Sequence, residues 1–487
     1  MGLAGGGLVA GIDSSTQSTK VLVVDPETGR VLGEGKAPHP VTGSEGARET
    51  DPEAWWAALR EALAQTGLVR RIGAIAVGAQ QHGLVCLDAD GRPLRPAILW
   101  NDTRSGPDAA RLIDELGGPE PWATGIGTVP VPSLTATRWA WLRRVEPDVA
   151  RRTAAIRLPH DYLTERLTGR GVTDRGDASG TGWWSTLTEG YVDEVLALPS
   201  MQLDPRLLPA VLGPAEAAGT VRPRVAAELG LGESVVVGPG TGDNMAAALG
   251  LGLRPGVPVL SLGTSGTTFV VSERRAADPT GIVAGFADAS GRFLPLACTL
   301  NCTLAVDRVA TWLALDRDDV APSAGLVVLP FFDGERTPNL PEASGLVIGL
   351  HHDTPPGAIL MATYEGALGA LLDALDQVGS CSSGIDPRAP LVVIGGGARG
   401  RTWQRAAARL AGRRLRVPRA AELVALGAAV QATMVLTGEE PEAIAERWGT
   451  QDGTTIDPDE VSTETLVRIR AARTAAASSG LFGRSFS

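Results

Sequence analysis

A chain of 487 residues exceeds what one hydrophobic core ordinarily organises, so two or more domains are expected. With 44% hydrophobic and 20% charged residues it reads as globular, and a formal charge of -11 excludes the broad positive field that nucleic acid or an anionic membrane rewards. Four cysteines suit a reducing cytosol; Cys298 and Cys302 could share a helix face, but no histidine or second pair completes a metal site.

The start, MGLAGGGLVA, has no basic segment and runs straight into an apolar strand, so no signal peptide is expected. Gly6 stands where myristoylation wants Ser or Thr. Apolar runs are broken by Gly, Arg or Asp before about 18 residues, so no membrane span is expected and the expected location is cytoplasmic. The run Leu8–Ile12 stops at Asp13, passes through Ser14-Ser15-Thr16-Gln17-Ser18-Thr19, and resumes after Lys20 as β-branched Val21–Val24 before the turn signal Asp25-Pro26. That pattern predicts a hairpin with a polar tip.

Asp51-Pro52-Glu53 opens a predicted helix over Pro52–Thr66 with a cap candidate, a first-turn proline and an acid. Strands at Ile72–Val77 and Leu84–Leu87 precede helices at Thr135–Val145 and Tyr162–Leu167. Strand Val235–Val237 and helix Met245–Leu249 lead to strands Val259–Leu262 and Thr268–Val271. Strand Val327–Leu329, helix Leu360–Val378, strand Leu391–Ile394 and helix Trp403–Leu410 complete an α/β alternation. From about Asp452 the chain reads as a helix and then a frayed tail. The tip SLGTSGTTFVVS at Ser261–Ser272 repeats the plan of the first hairpin, so two domains of one build, facing each other, are expected.

Small residues at a strand turn let backbone N–H groups approach an anion, which is the chemistry of a phosphate cradle, although a solvated turn has the same composition. The P-loop pattern leading into a helix is absent. Asp13, at a strand end beside such a cradle, is where Mg²⁺ would sit, because Mg²⁺ takes few carboxylates and keeps its waters. Gly395-Gly396-Gly397-Ala398-Arg399-Gly400 follows a strand and precedes a helix, formally a dinucleotide fingerprint with Glu422 at a suitable distance. A nicotinamide-dependent oxidoreductase is therefore a rival reading; the same loop could hold the adenosine of ATP. Asp243, in GPGTGDN, reads as a helix N-cap or as a general base. Gln81, His82, Trp100, Asn101 and Asp102 follow apolar strands and form a sugar-binding palette, an aromatic face with amides and carboxylates around it.

In order along the chain, GIDSSTQSTK, AQQHG, ILWNDTR, LPHDYLTERLTG, DASGT, GDN, LSLGTSGT, LPFFDGERTPN and GGGAR resemble the FGGY carbohydrate kinases, over about residues 8 to 435. The resemblance implies two ribonuclease-H-like domains, as in actin and the heat-shock ATPases, with ATP and sugar in a cleft between them. It implies an N-terminal domain at 1–249, a C-terminal domain at 250–445, and a terminal helix and tail at 446–487. It implies that ATP phosphorylates the 5-hydroxyl of D-xylulose, with ribulose, xylitol and glycerol as alternative acceptors and a non-catalytic actin-like protein as a remote one. By the same resemblance Asp13 organises Mg²⁺, Thr16 and Lys20 approach the phosphates, and Gly263, Thr264 and Ser265 form the opposing loop. Gly396, Gly397 and Ala398 flank the adenosine, Gln81 and His82 touch the sugar with Asn244, and Asp243 accepts the proton. A homodimer is the family-based expectation, with no nucleic acid or membrane partner. Departures from the family pattern are Ser14-Ser15, Arg138 and His160, the last two where lysine is usual, and GAILMATYE at Gly357–Glu365, which lacks an early polar residue.

Overall fold

The computed structural model describes residues 7–459 and 461–482; the calls on the first six residues and on the end of the tail lie outside them. The polar tip is a hairpin, as expected: β1 (Leu8–Ser14) turns into β2 (Ser18–Val24), with Asp13 opposite Lys20 and Ser14 opposite Thr19. β3 (Val31–Pro38) completes an antiparallel meander. Asp51 caps α1 (Pro52–Gln65) by accepting a bond of 3.0 Å from the Glu53 N–H, satisfying one of the helix's orphan donors. β4 (Ile72–Ala79) returns parallel to β1.

After α2 (Thr135–Val145) and α3 (Pro159–Thr168), the short strands β5 (Gly219–Thr220), β6 (Val236–Val237) and β7 (Thr241–Gly242) lead into α4 (Asp243–Leu251). The first sheet runs β5–β6–β4–β1–β2–β3, and β7 also pairs with β4. Its core sets Ile12, Val21, Val23, Ile75 and Val77 against Trp55, Leu59 and Leu63 of α1.

The same plan recurs. β8 (Pro258–Leu262), β9 (Gly266–Val270) and β10 (Phe293–Thr299) form a second antiparallel meander, followed by α5 (Thr303–Leu313) and α6 (Pro356–Cys381). β11 (Leu391–Ile394) joins β8 in parallel, and after α7 (Arg401–Ala411) β12 (Leu415–Pro418) joins β11. α8 (Leu423–Thr437), β13 (Gly453–Ile456) and α9 (Thr463–Ser478) close the described chain. Each sheet is thus a three-stranded meander extended by parallel strands on the side of its first strand, the topology expected of a ribonuclease-H-like domain.

Two compact units result, and they interleave along the chain. The first takes in the chain up to Arg254, Arg274–Leu294 and Glu422–Gln451; the second takes in Pro255–Glu273, Pro295–Ala421 and the chain from Asp452. The sequence reading had assigned contiguous blocks. α6 is long and apolar enough to cross a membrane by length and mean hydropathy, but its apolar run is broken by Glu365 and Asp373, its surface is mostly buried, and Glu365 pairs with Arg409 of α7. It is the core helix of the second unit. Cys298 lies on β10 and Cys302 caps α5, so the two do not share a helix face, and among the described residues no disulfide forms.

α8 lies against β1 and α4 at backbone distance. A Cβ on Gly11 would sit 1.8 Å from the Ala425 carbonyl oxygen, and one on Gly427 would sit 1.7 Å from that of Ala246. Neither neighbour is a flexible side chain, so an added methyl must displace a helix. Gly11→Ala and Gly427→Ala should each lower stability by about 1–3 kcal/mol, while Gly125→Ala, whose Cβ meets nothing within 4 Å, should melt like the parent. Denaturant melts of the three variants check this.

Candidate active site

Three parallel strands of the first unit stop side by side. Asp13 pairs with Gly78, and Thr241 pairs with the same Gly78. Asp13, the Gln81-His82 turn and Asp243 are therefore gathered at their carboxyl ends. The Ser15 hydroxyl donates to Asp13 Oδ1 at 2.6 Å, and burial nonetheless pushes the Asp13 carboxyl up to about 6. Asp243 is the first residue of α4; the cap position belongs to Gly242, so the cap reading does not hold. Its Oδ1 accepts from the Asn244 N–H at 2.8 Å and from Asn244 Nδ2 at 2.9 Å. Burial, then the charge of Asp13, pushes Asp243 up to about 7. Asn244 Nδ2 also donates to Gln81 Oε1 at 3.0 Å, which links the base candidate to the Gln81-His82 turn. Gly242 is required there, since a Cβ would lie 2.5 Å from Gln81 Cγ.

His82 sits in the left-handed region at φ 68°, a conformation that costs a non-glycine residue of order 1–3 kcal/mol. Its surroundings impose that conformation. The His82 carbonyl accepts from Arg138 Nη1 at 2.9 Å and Thr135 Oγ1 at 3.1 Å, and its N–H faces the Asp177 carboxylate. Its ring packs against Phe286, with centroids 5.5 Å apart, and over Gly180, where a Cβ would come within 2.5 Å of the imidazole. The DASGT motif therefore serves His82. Trp100 is exposed and donates from Nε1 to Thr16 Oγ1 at 3.1 Å, joining the Trp100-Asn101 turn to the hairpin tip.

The Gln81 Nε2 and Asn101 Oδ1 atoms are buried with no protein partner, a condition native folds avoid unless a ligand or water completes it. Asp102 is different. Its carboxylate accepts from the Arg48 N–H at 2.8 Å and from the Arg104 N–H at 3.0 Å and Nη2 at 2.6 Å, so its lone pairs serve the loop. Lys20 forms a 2.5 Å ion pair with Glu422, the residue that caps α8.

In the second unit, the Gly263 carbonyl accepts from the N–H and hydroxyl of Thr303, at 3.0 and 2.8 Å, which holds the turn Gly263-Thr264-Ser265 against α5. Gly395, at φ 86°, and Gly397 pack on Leu262, the last residue of β8, placing Gly396-Gly397-Ala398 beside that turn. A Cβ on Gly396 would meet nothing within 4 Å, so that side of the loop is open to approach.

A fully buried cluster lies behind the first unit's site. His160 Nε2 stands 3.1 Å from Asp161 Oδ1, 3.3 Å from Asp177 Oδ2 and 3.5 Å from Asp174 Oδ1. Burial drives Asp161 up to about 8 and His160 down to about 3, so the neutral forms are favoured. Thr241 Oγ1 donates to Asp174 at 2.7 Å, which anchors the strand leading to Asp243. From the other side, Gln431 of α8 brackets Gly240, accepting from its N–H at 3.0 Å and donating to its carbonyl at 2.9 Å.

The N-terminal domain of the FGGY family of carbohydrate kinases matches residues 8–250, and the C-terminal domain matches residues 259–436. The chain belongs to the FGGY family of carbohydrate kinases. It is 60% identical over 470 residues to the xylulose kinase of Streptomyces coelicolor, covering 96% of each chain, and equally so to that of Streptomyces rubiginosus. The crystal structure of xylulose kinase from Bifidobacterium adolescentis superposes with a TM-score of 0.83 at 35% identity, over 96% of this chain and 99% of that one. This carbohydrate kinase therefore has the two ribonuclease-H-like domains expected from its motifs, and the oxidoreductase reading of the Gly395–Gly400 loop falls. As an FGGY kinase it uses ATP as co-substrate.

Sequence reasoning gave Glu422 only to the discarded dinucleotide reading, and saw Arg138 only as a departure from pattern. Neither carries a local signal, because each acts on residues dozens to hundreds of positions away.

The raised carboxyls make a prediction for the FGGY kinase. A carboxyl whose pKa is higher in the fold than in the unfolded chain binds its proton preferentially in the fold, so its stabilisation is lost as pH rises through the folded value. With Asp161 at about 8 and Asp243 at about 7, the melting temperature of the ligand-free protein should rise as pH is lowered from about 8.5 to about 7. His160 opposes this only below its unfolded value near 6.5. Scanning calorimetry across that interval decides it; a falling midpoint contradicts the burial argument.

Proposed function

We propose that this kinase transfers the γ-phosphoryl group of ATP to the 5-hydroxyl of D-xylulose, giving D-xylulose 5-phosphate and ADP. The observation that carries the reading is Asp243, a carboxyl oriented by Asn244, linked through it to Gln81, and titrating near neutrality. A base of that strength takes the hydroxyl proton as the oxygen attacks phosphorus and the bond to the bridging oxygen of ADP breaks. The near-full-length identity with the Streptomyces xylulose kinases supports the choice of sugar.

Gln81, His82, Asn101 and Asn244 take the sugar hydroxyls, the unpaired Gln81 and Asn101 atoms being completed by them, and Trp100 covers a C–H face. Asp102 contributes by holding the loop. Thr16 and Lys20 approach the phosphates, Gly263, Thr264 and Ser265 supply a phosphate turn, and Gly396, Gly397 and Ala398 flank the adenosine. Asp13 fits Mg²⁺: it is a hard, buried carboxylate with one oxygen engaged by Ser15. A single carboxylate suits an ion that takes few protein ligands and keeps most of its waters. When bound, Mg²⁺ neutralises charge on the phosphates. The same reading places the enzyme in the cytoplasm as a homodimer that binds neither nucleic acid nor membrane.

Asp243→Asn should lower kcat by about 10²–10⁴-fold while the Kd for ATP stays within about twofold; near-parental turnover removes Asp243 as the base. His82→Ala should raise the KM for the sugar about 10-fold and leave that for ATP nearly unchanged. ADP release measured against D-xylulose, D-ribulose, L-ribulose, xylitol and glycerol tests the substrate. Preference for another acceptor keeps the base and changes the sugar.

A further inference from the structure

We propose that Arg138 is a positioning residue that sets sugar affinity by locking the backbone of both sugar loops, a role that rests on the site reading above. Arg138 lies on α2, is fully buried, and forms no ion pair among the described residues. Its guanidinium is spent on carbonyls. Nη1 donates to His82 O at 2.9 Å and to Ser133 O, and Nη2 donates to Trp100 O at 2.6 Å. One planar fork therefore ties the turn carrying Gln81 and His82 to the turn carrying Trp100 and Asn101.

A buried arginine aimed at main-chain oxygens rather than a carboxylate is an unusual use of charge. Burial pulls it down to about 9, with Asp102 opposing, so it stays protonated at neutral pH. The carbonyls it holds belong to two turn residues in unlike settings. His82 is in the left-handed region, and Trp100 is exposed. Thr135, one turn earlier on α2, adds a second donor to the His82 carbonyl at 3.1 Å. α2 thus acts as a clamp reaching both loops with donors alone. A fork meets two carbonyls at fixed separation; a lysine ammonium, as a point donor, cannot reproduce that span.

The test uses the full-length enzyme with Arg138→Met, Arg138→Lys and Thr135→Val, measuring KM for the sugar and for ATP separately. The sugar is D-xylulose, or whichever acceptor of the panel the parent enzyme turns over best. Failure of the D-xylulose assignment is thereby read from the parent alone, before any variant. Arg138→Met should raise the sugar KM about 10-fold or more, Arg138→Lys and Thr135→Val about three- to fivefold, with the ATP KM within about twofold for all three. Combined with His82→Ala, Arg138→Lys should add less than its single effect, because part of that effect passes through the backbone that carries the His82 ring. If Arg138→Met does not fold, the two milder variants carry the test. Sugar and ATP constants that move together, or a sugar KM unchanged in Arg138→Lys and Thr135→Val, overturn the proposal.

Discussion

The register of three parallel strands decides where the charged groups of the first unit stand. Because Asp13 and Thr241 both pair with Gly78, the end of β1 and the start of α4 flank the end of β4. Two carboxyls, Asp13 and Asp243, are thereby brought into mutual range, and burial first, then the charge of Asp13, raises the pKa of Asp243. In a structural role such a pair is a liability, since each charge costs desolvation and neither is relieved by the other. At the carboxyl ends of strands such perturbed carboxyls mark functional sites, which is why the proposed base and the proposed cation ligand are these two residues.

That register survives only if the layers behind it are thin. Gly11, Gly250 and Gly427 bring α8 to backbone distance from β1 and α4, and Gln431 on the same helix grips Gly240 just before the Asp243 strand. Stability and site geometry therefore share residues. A side chain at Gly427 would move α8 off α4, whose first residue is Asp243, so packing and acid–base geometry are hard to change separately.

The sequence revealed what is local and left out what is assembled. The hairpin tips, the Asp51 cap and the helix start at Asp243 were legible because each is written in a few adjacent residues. α8 was missed because LVALGAAVQATMVLT is apolar on every face and offers no helical period, as expected of a helix buried all round. β3 was missed for the opposite reason: VLGEGKAP is largely exposed and carries two glycines and two charges. The interleaving of the units could not be read either, since the return of residues 422–451 to the first unit is a matter of packing. Among site residues, Asp102 was read as a ligand from its type; only the positions of Arg48 and Arg104 show its carboxylate occupied.

Lys20 shows how such non-local partners bear on function. In the hairpin it looks like a phosphate ligand, yet its ammonium is held at 2.5 Å by Glu422. The two side chains keep 25% and 37% of their exposure, and pairs so open to solvent contribute about 0–1 kcal/mol. On the proposed reading, that is weak enough for a triphosphate bearing several charges to compete with the carboxylate. Glu422 thus holds Lys20 beside Asp13, its partner across the hairpin, in a pair weak enough to exchange. Since Glu422 stands at the N-cap position of α8, the helix that packs on β1 at Gly11, the lysine's partner is carried by the helix that also packs on the strand.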